Sequence, residues 1–211
     1  MRGAKGAARI YLEALVLTVL LASFVRVFLV QGVRISSGSM EPTLLIGDHL
    51  LVNRLVARAD SGALARLLPS RTIRRGDLLL HRDPVNPATL LVKRCIGLPG
   101  ERIELRGGAI RIDGAPISTT AFGSTPTGDA PLSRVIPDGH YFVLGDRRER
   151  SLDSRGWGAV PSELILGRPF FSYWSWRATA DRDSGTIEKS LDLVTRFVSG
   201  TRWDRTGRPV R

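Results

Sequence analysis

The chain has one cysteine, Cys95, three histidines and three lysines among its 211 residues. A lone cysteine excludes an intrachain disulfide and any cysteine-rich metal site. Such economy is compatible with an oxidising compartment. His49, His81 and His140 stand at no ligand spacing. Each therefore reads as a satisfied surface or strand-end residue, and neither a metal nor a cofactor is expected. Aromatic residues make up only 7% of the chain, against a formal net charge of +11. No helix-turn-helix pattern, zinc spacing or RNA-binding aromatic motif accompanies that charge. Nucleic acid is thus not expected as a partner, and the basic balance points to an anionic membrane surface.

One long apolar run is present. From Ile10 to Gln31 the only charged residues are Glu13 and Arg26, one near each end. Some 22 helical residues would span about 33 Å, enough for the hydrocarbon core of a bilayer. Arg26 can snorkel toward the interface. Arg2, Lys5 and Arg9 precede the run without any acid, which predicts a cytoplasmic N-terminus and a domain on the outer side. The competing reading is a cleaved signal peptide, with a basic start and an apolar core. The run exceeds the usual length of such a core. The convincing small-x-small site, Ser37-Gly38-Ser39, falls inside the stretch that carries the chemistry below. The expected organisation is a basic tail over 1–9, a transmembrane helix over 10–31, a β-rich domain over 32–176 and a basic tail over 177–211.

Within the domain, strand signals dominate. His49–Arg54, Asp77–Arg82, Thr89–Gly97, Arg102–Leu105, Ile110–Asp113, Tyr141–Leu144 and Leu164–Trp174 are the predicted strands. Gly107-Gly108 and Asp113-Gly114 signal tight turns. Residues 55–71 have a helical look and belong to a variable insertion over 55–75. Residues 118–131, rich in Thr, Ser, Gly and Pro, form the centre of a second variable loop over 115–135. Short strands with turns between them mean a mainly β domain rather than a βαβ sheet. In the tail, Ile187, Leu191, Val194 and Val198 recur at helical spacing, an amphipathic helix on the domain or on the membrane. The final basic residues suit anionic lipid.

Three stretches could carry chemistry. Ser36-Ser37-Gly38-Ser39-Met40-Glu41-Pro42-Thr43-Leu44 begins just after the apolar run. Pro42 fixes its own φ and biases Glu41 away from the helical region, so a stiff extended turn is expected. A serine there needs a base. His140 beside Asp138 is the tempting histidine–carboxylate pair, but the two flank the turn Pro137-Asp138-Gly139. Lys93 is the alternative. Strand alternation places it between Leu91 and Cys95, opposite a face of Leu90, Val92, Arg94 and Ile96. Desolvation there would lower its pKa and populate the neutral amine. The other lysines, Lys5 and Lys189, lie outside the expected β-rich domain, and arginine cannot serve as this base. The third stretch, Gly145 to Arg155, is dense in charge just after a strand. It reads either as a solvated loop or as an ion-pair network that presents Ser151 to the base.

Together these stretches resemble the bacterial type I signal peptidases, membrane-bound serine proteases that remove signal peptides from exported proteins. Ser37 through Leu44 matches the nucleophile motif, and Gly47-Asp48 through Arg54 the strand that follows it. Lys93-Arg94-Cys95-Ile96-Gly97-Leu98-Pro99-Gly100-Glu101 matches the general-base motif. Gly145-Asp146 through Arg155, continuing to Gly156-Trp157-Gly158, matches the last. The resemblance covers most of residues 10–175. It implies a β-rich protease domain, Ser39 as nucleophile and Lys93 as general base. It implies an oxyanion hole from the Ser39 N–H and the Ser37 hydroxyl, with Ser151 orienting the lysine. Asp146 with Arg94, and Asp153 with Arg155, would be structural ion pairs. The chain departs from the family at Arg147-Arg148-Glu149-Arg150, where asparagine-arginine-aspartate-asparagine is common, and at Ser36, where proline is common. The implied substrate is the signal peptide of an exported preprotein, cut after a small-x-small site. It would add as a strand between Arg34–Ser37 and Leu90–Lys93, with Ile35, Leu44 and Leu91 as pocket walls. Two rivals share these motifs: a Ser/Lys maturation peptidase with another substrate, and a catalytically inactive membrane scaffold.

Overall fold

The computed structural model describes residues 2–24, 26, 29–55, 71–117, 130–177 and 197–210. Side chains are described from residue 9 onward. The helical look of 55–71 lies almost wholly outside these residues, as do the centre of the 118–131 loop and the tail helix before Phe197.

Helix α1 spans Arg2–Phe24, and strand β1 spans Val30–Arg34. The expected helix over 10–31 is therefore displaced toward the N-terminus. The apolar run does not end with the helix, because Val30 and Val33 belong to a strand that pairs with β2, Asp48–Asn53. Large apolar side chains from Ile10 to Phe24 are exposed on all sides of α1. Among the described residues no helix is long and apolar enough to cross a membrane.

The remaining strands are β3 (Leu78–Arg82), β4 (Leu90–Gly97), β5 (Arg102–Arg106), β6 (Ala109–Ile112), β7 (Ala115–Pro116), β8 (Leu132–Val135), β9 (His140–Leu144), β10 (Val160–Pro161), β11 (Ile165–Ser175) and β12 (Arg208–Pro209). All their pairings are antiparallel. A curled sheet runs β1-β2-β11-β3-β4-β9-β10, with β12 joined to β11. The 11-residue β11 pairs with β3 through its first half and with β2 through its second. Bulges at Pro169/Phe171 and Ser172/Trp174 let it bend between them. A smaller sheet runs β7-β6-β5-β8. Its hairpins turn where the sequence signals them: Gly107 and Gly108 take φ of 54° and 80°, Asp113 and Gly114 50° and 79°. Positive φ at both central residues matches the twist of the flanking strands.

Strand β4 is the centre of the molecule. Val92 packs with Ile35, Met40, Leu44, Leu50, Val52 and Leu80. Ile96 packs with Ile103, Leu105, Ile110, Phe142 and Leu144. On the opposite face Cys95 joins Leu79, Val143, Val160 and Ile165. Both faces of β4 are thus apolar-covered, so Lys93 and its neighbour Arg94 are enclosed alike, at 2% and 3% exposure.

Candidate active site

The stretch expected to be extended folds as one turn of 3-10 helix, Gly38–Met40, with Glu41 returning to extended backbone. Burial decides this. Met40 is sealed in the core with Leu44, and the Leu44 N–H donates to the Met40 carbonyl at 2.9 Å. The turn is pulled inward by its methionine, and Ser39 is carried to the core boundary at 7% exposure.

Opposite it, Lys93 projects from β4, where its backbone pairs with Leu79. The Lys93 amine lies 2.8 Å from Ser39 Oγ and 3.0 Å from Ser151 Oγ. Ser37 Oγ lies 3.3 Å from Ser39 Oγ. Three residues far apart in sequence, with the adjacent Ser37, thus form one cluster. Burial pushes the Lys93 pKa down from 10.5 to about 8. The nearby Asp153 charge opposes that shift, and the Arg155 charge reinforces it.

The charged loop supplies the frame. Asp146 is buried and accepts from Arg94 in bidentate fashion, Nε to Oδ1 at 2.8 Å and Nη2 to Oδ2 at 2.6 Å. Arg94 Nη1 also donates to the Gly76 carbonyl at 2.8 Å. Paired and hydrogen-bonded in this way, two charges can be enclosed beside the lysine. Asp153 accepts from Arg155 Nε at 2.9 Å and from the Gly145 N–H at 3.0 Å. Asp153 also caps the short helix α2, Ser154–Trp157. Arg155 Nη2 donates to the carbonyls of Arg148 and Ser151, at 2.6 and 3.2 Å. The backbone that presents Ser151 is therefore held by a guanidinium.

Several contributors were not foreseen. Arg147, one of the departures from the family pattern, pairs with Glu41, and its N–H donates to the Ser39 carbonyl at 3.0 Å. Arg148 is buried and donates to the Gly145 carbonyl at 2.8 Å. A Cβ at Gly145 would stand 2.2 Å from Ser151 Oγ and 2.7 Å from the Ser39 carbonyl oxygen. Only glycine admits this approach. The signal for it was a glycine placed immediately after a buried strand and before the charged run.

The histidines divide. His140 Nδ1 meets the Asp138 carbonyl at 2.9 Å, and no hydrogen bond joins any described histidine to Ser39. His81 stands near the end of its strand, one of the two expected places, but it is neither exposed nor fully satisfied. It is fully buried on β3, its Nε2 has no hydrogen-bond partner among the described residues, and burial pushes its pKa down to about 4. The continuous apolar run Leu78-Leu79-Leu80 concealed this, because a strand covered on both faces leaves no polar side for the next residue. Of the three pocket residues, Ile35 and Leu44 are buried in the core behind the serine turn, and Leu91 is half-buried on β4. Among the described residues no group of three His, Cys, Asp or Glu could hold a metal ion.

A serine hydroxyl within hydrogen-bond reach of a desolvated amine can lose its proton to that amine and attack a carbonyl. Such an arrangement can serve a hydrolase. The family described as signal peptidase, peptidase S26 matches residues 8–174. A probable signal peptidase I-2 of Synechocystis is 33% identical over 172 residues, covering 77% of this chain and 71% of that one. The signal peptidase I of Pseudomonas fluorescens is 32% identical over 194 residues, covering 72% and 67%. A signal peptidase I structure from Enterococcus faecalis aligns with 46% of this chain and 97% of that one, at 30% identity and a TM-score of 0.41. The chain belongs to the signal peptidase S26 family.

Proposed function

We propose that this serine endopeptidase cleaves signal peptides from exported preproteins with Ser39 as nucleophile and Lys93 as general base. The observation that supports the mechanism is the 2.8 Å contact between the buried Lys93 amine and the buried Ser39 Oγ. The neutral amine accepts the Ser39 proton as Oγ attacks the scissile carbonyl. Charge develops on the carbonyl oxygen, and the Ser39 N–H and the Ser37 hydroxyl serve as its donors. The protonated amine then gives its proton to the leaving amine, and an acyl-enzyme remains. Water attacks the ester with Lys93 again as base. Ser151 keeps the amine directed at Ser39 throughout.

The substrate binds as an extended strand between Arg34–Ser37 and Leu90–Lys93, with side chains one and three positions before the cut directed at Ile35, Leu44 and Leu91. The apolar surface of α1 and the run that follows it hold the chain at a bilayer, the N-terminus on the cytoplasmic side and the domain outside. Two experiments test these statements. Detergent-solubilised enzyme should cut a preprotein after Ala-x-Ala and fail when a large side chain replaces the alanine at the cut; equal cleavage of both overturns the groove. Protease added to intact spheroplasts should digest the domain and spare the N-tail; a protected domain overturns the topology.

A further inference from the structure

We infer that Arg202 and Arg205 are positioning residues for the nucleophile turn, acting through Asp48 and the Thr43 carbonyl; the inference rests on Ser39 being the nucleophile. They lie in a C-terminal segment beyond the family match, which ends at residue 174. Read from sequence alone, these arginines belong to a basic tail suited to anionic lipid. The structure instead places both against the back of the serine turn.

The turn is a loop closed at its neck. The Ile35 N–H donates to the Asp48 carbonyl at 2.8 Å, and the Gly47 N–H donates to the Ile35 carbonyl at 2.9 Å. The Asp48 carboxylate is fully buried at this neck, where it accepts from the Leu45 N–H at 2.9 Å and from the Ser175 hydroxyl. Burial alone would raise its pKa, yet hydrogen bonds led by that from Arg205 hold it below the usual carboxylate value. Arg205 Nη2 donates to Asp48 Oδ2 at 2.8 Å and to the Thr43 carbonyl at 2.7 Å. Arg202 Nη2 donates to the Ile46 carbonyl at 2.9 Å, and its Nη1 stands 3.4 Å from Asp48 Oδ1. Two guanidiniums therefore reach the loop's neck and two carbonyls of its outgoing limb.

The segment is itself fixed. The Arg202 N–H donates to the Ser175 carbonyl and the Gly207 N–H to the Ser172 carbonyl, each at 2.8 Å, and Arg208 pairs with Ser172 on β11. A tight turn between them, with the Arg205 N–H donating to the Arg202 carbonyl at 3.0 Å, presents the two side chains together. Side-chain packing does not fill the space between segment and loop. A cavity of about 300 Å³ lies there, lined by Thr43, Leu44, Asp48, Ser172, Arg205 and Val210 among others. On this side the hydrogen bond of Arg205 to the Thr43 carbonyl supports the loop. A small displacement of a nucleophile costs rate steeply, by about 100-fold for about 1 Å.

The test is single-turnover cleavage of an Ala-x-Ala preprotein by the full chain carrying Arg205→Ala or Arg205→Lys, with thermal unfolding measured alongside. The expected result for Arg205→Ala is a rate at saturating substrate lower by about 10- to 100-fold, KM within about twofold, and partial recovery with millimolar guanidinium chloride. Arg205→Lys should fall between, because a point-charge donor cannot span a carboxylate and a carbonyl as a planar fork does. A native rate in either folded variant overturns the inference. So does a loss confined to KM, or a loss in a folded Arg205→Ala that guanidinium leaves unchanged, since a merely structural role would show that pattern. Should Arg205→Ala not fold, the rate of Arg205→Lys decides alone. The unaltered chain and Ser39→Ala are run in parallel. Failure of the first to cleave shows that the proposed activity has failed, and cleavage by the second that the nucleophile assignment has; the inference falls with either.

Discussion

Lys93 Nζ lies 2.8 Å from Ser39 Oγ although 54 residues separate them. The same amine reaches Ser151 Oγ at 3.0 Å. One amine is thus held by two hydroxyls, and Arg155 holds the backbone of the second. Ser151→Ala removes that guide without touching the nucleophile. Cleavage at saturating substrate should fall by about 10- to 100-fold with KM little changed. A rate within about twofold of native would show that packing alone orients the lysine.

Ser37 stands 3.3 Å from Ser39 Oγ on the exposed side of the turn. Ser37→Ala removes one of two proposed oxyanion donors and leaves the lysine in place. Loss of such a donor costs about 10²- to 10³-fold in rate, or roughly 2.7–4 kcal/mol. Single-turnover kinetics on folded Ser37→Ala should show it, and a change below about fivefold would remove Ser37 from that role.

Gly145 gives a steric prediction. A methyl at this position collides with Ser151 Oγ and with the Ser39 carbonyl. Gly145→Ala should abolish cleavage while the β-rich domain stays folded. Circular dichroism with an activity assay checks both. Near-native turnover would mean that the two serines tolerate separation.

Enclosure of Lys93 has a thermodynamic signature. Its folded-state pKa, about 8, lies below its ordinary 10.5. Between those values the unfolded chain holds a proton that the folded chain has released, so stability rises with pH across that window. Below about 8 both states are protonated and the cost of burying the cation is full, on the order of 3 kcal/mol. Lys93→Met should therefore unfold at a higher temperature than the native protein at pH 7, and the advantage should shrink toward pH 10.5. A difference constant with pH would mean that the lysine keeps its ordinary pKa in the folded state and carries no cost of desolvation.

The site was legible because its chemistry sits in short, ordered segments. A lone domain lysine between Leu91 and Cys95 pointed to Lys93 and a charged loop after a buried strand to Ser151, while the family resemblance singled out Ser39 among the serines of the turn. Tight-turn dipeptides likewise placed the smaller sheet's hairpins. Long-range covering was not legible. Nothing local in His81 says that both faces of β3 are closed, so its position near a strand end was readable but its burial was not. Strand β1 was hidden in an apolar run that serves first a helix and then a sheet. The Arg202 and Arg205 contacts depend on a chain return from residue 177 to β11, and their partner Asp48 is about 150 positions away. Periodicity reports which face of an element is apolar, not which distant segment comes to lie on it.

The central claim is that Lys93, and no histidine, takes the proton from Ser39. Single-turnover cleavage of an Ala-x-Ala preprotein by folded Lys93→Arg and His140→Ala enzymes tests it most directly. A guanidinium keeps the charge and length but cannot accept a proton, so Lys93→Arg should be as inactive as Lys93→Ala, while His140→Ala should cleave at the native rate, with activity rising with pH through about 8. Near-native cleavage by Lys93→Arg together with a dead His140→Ala would contradict the account and return the base to a histidine.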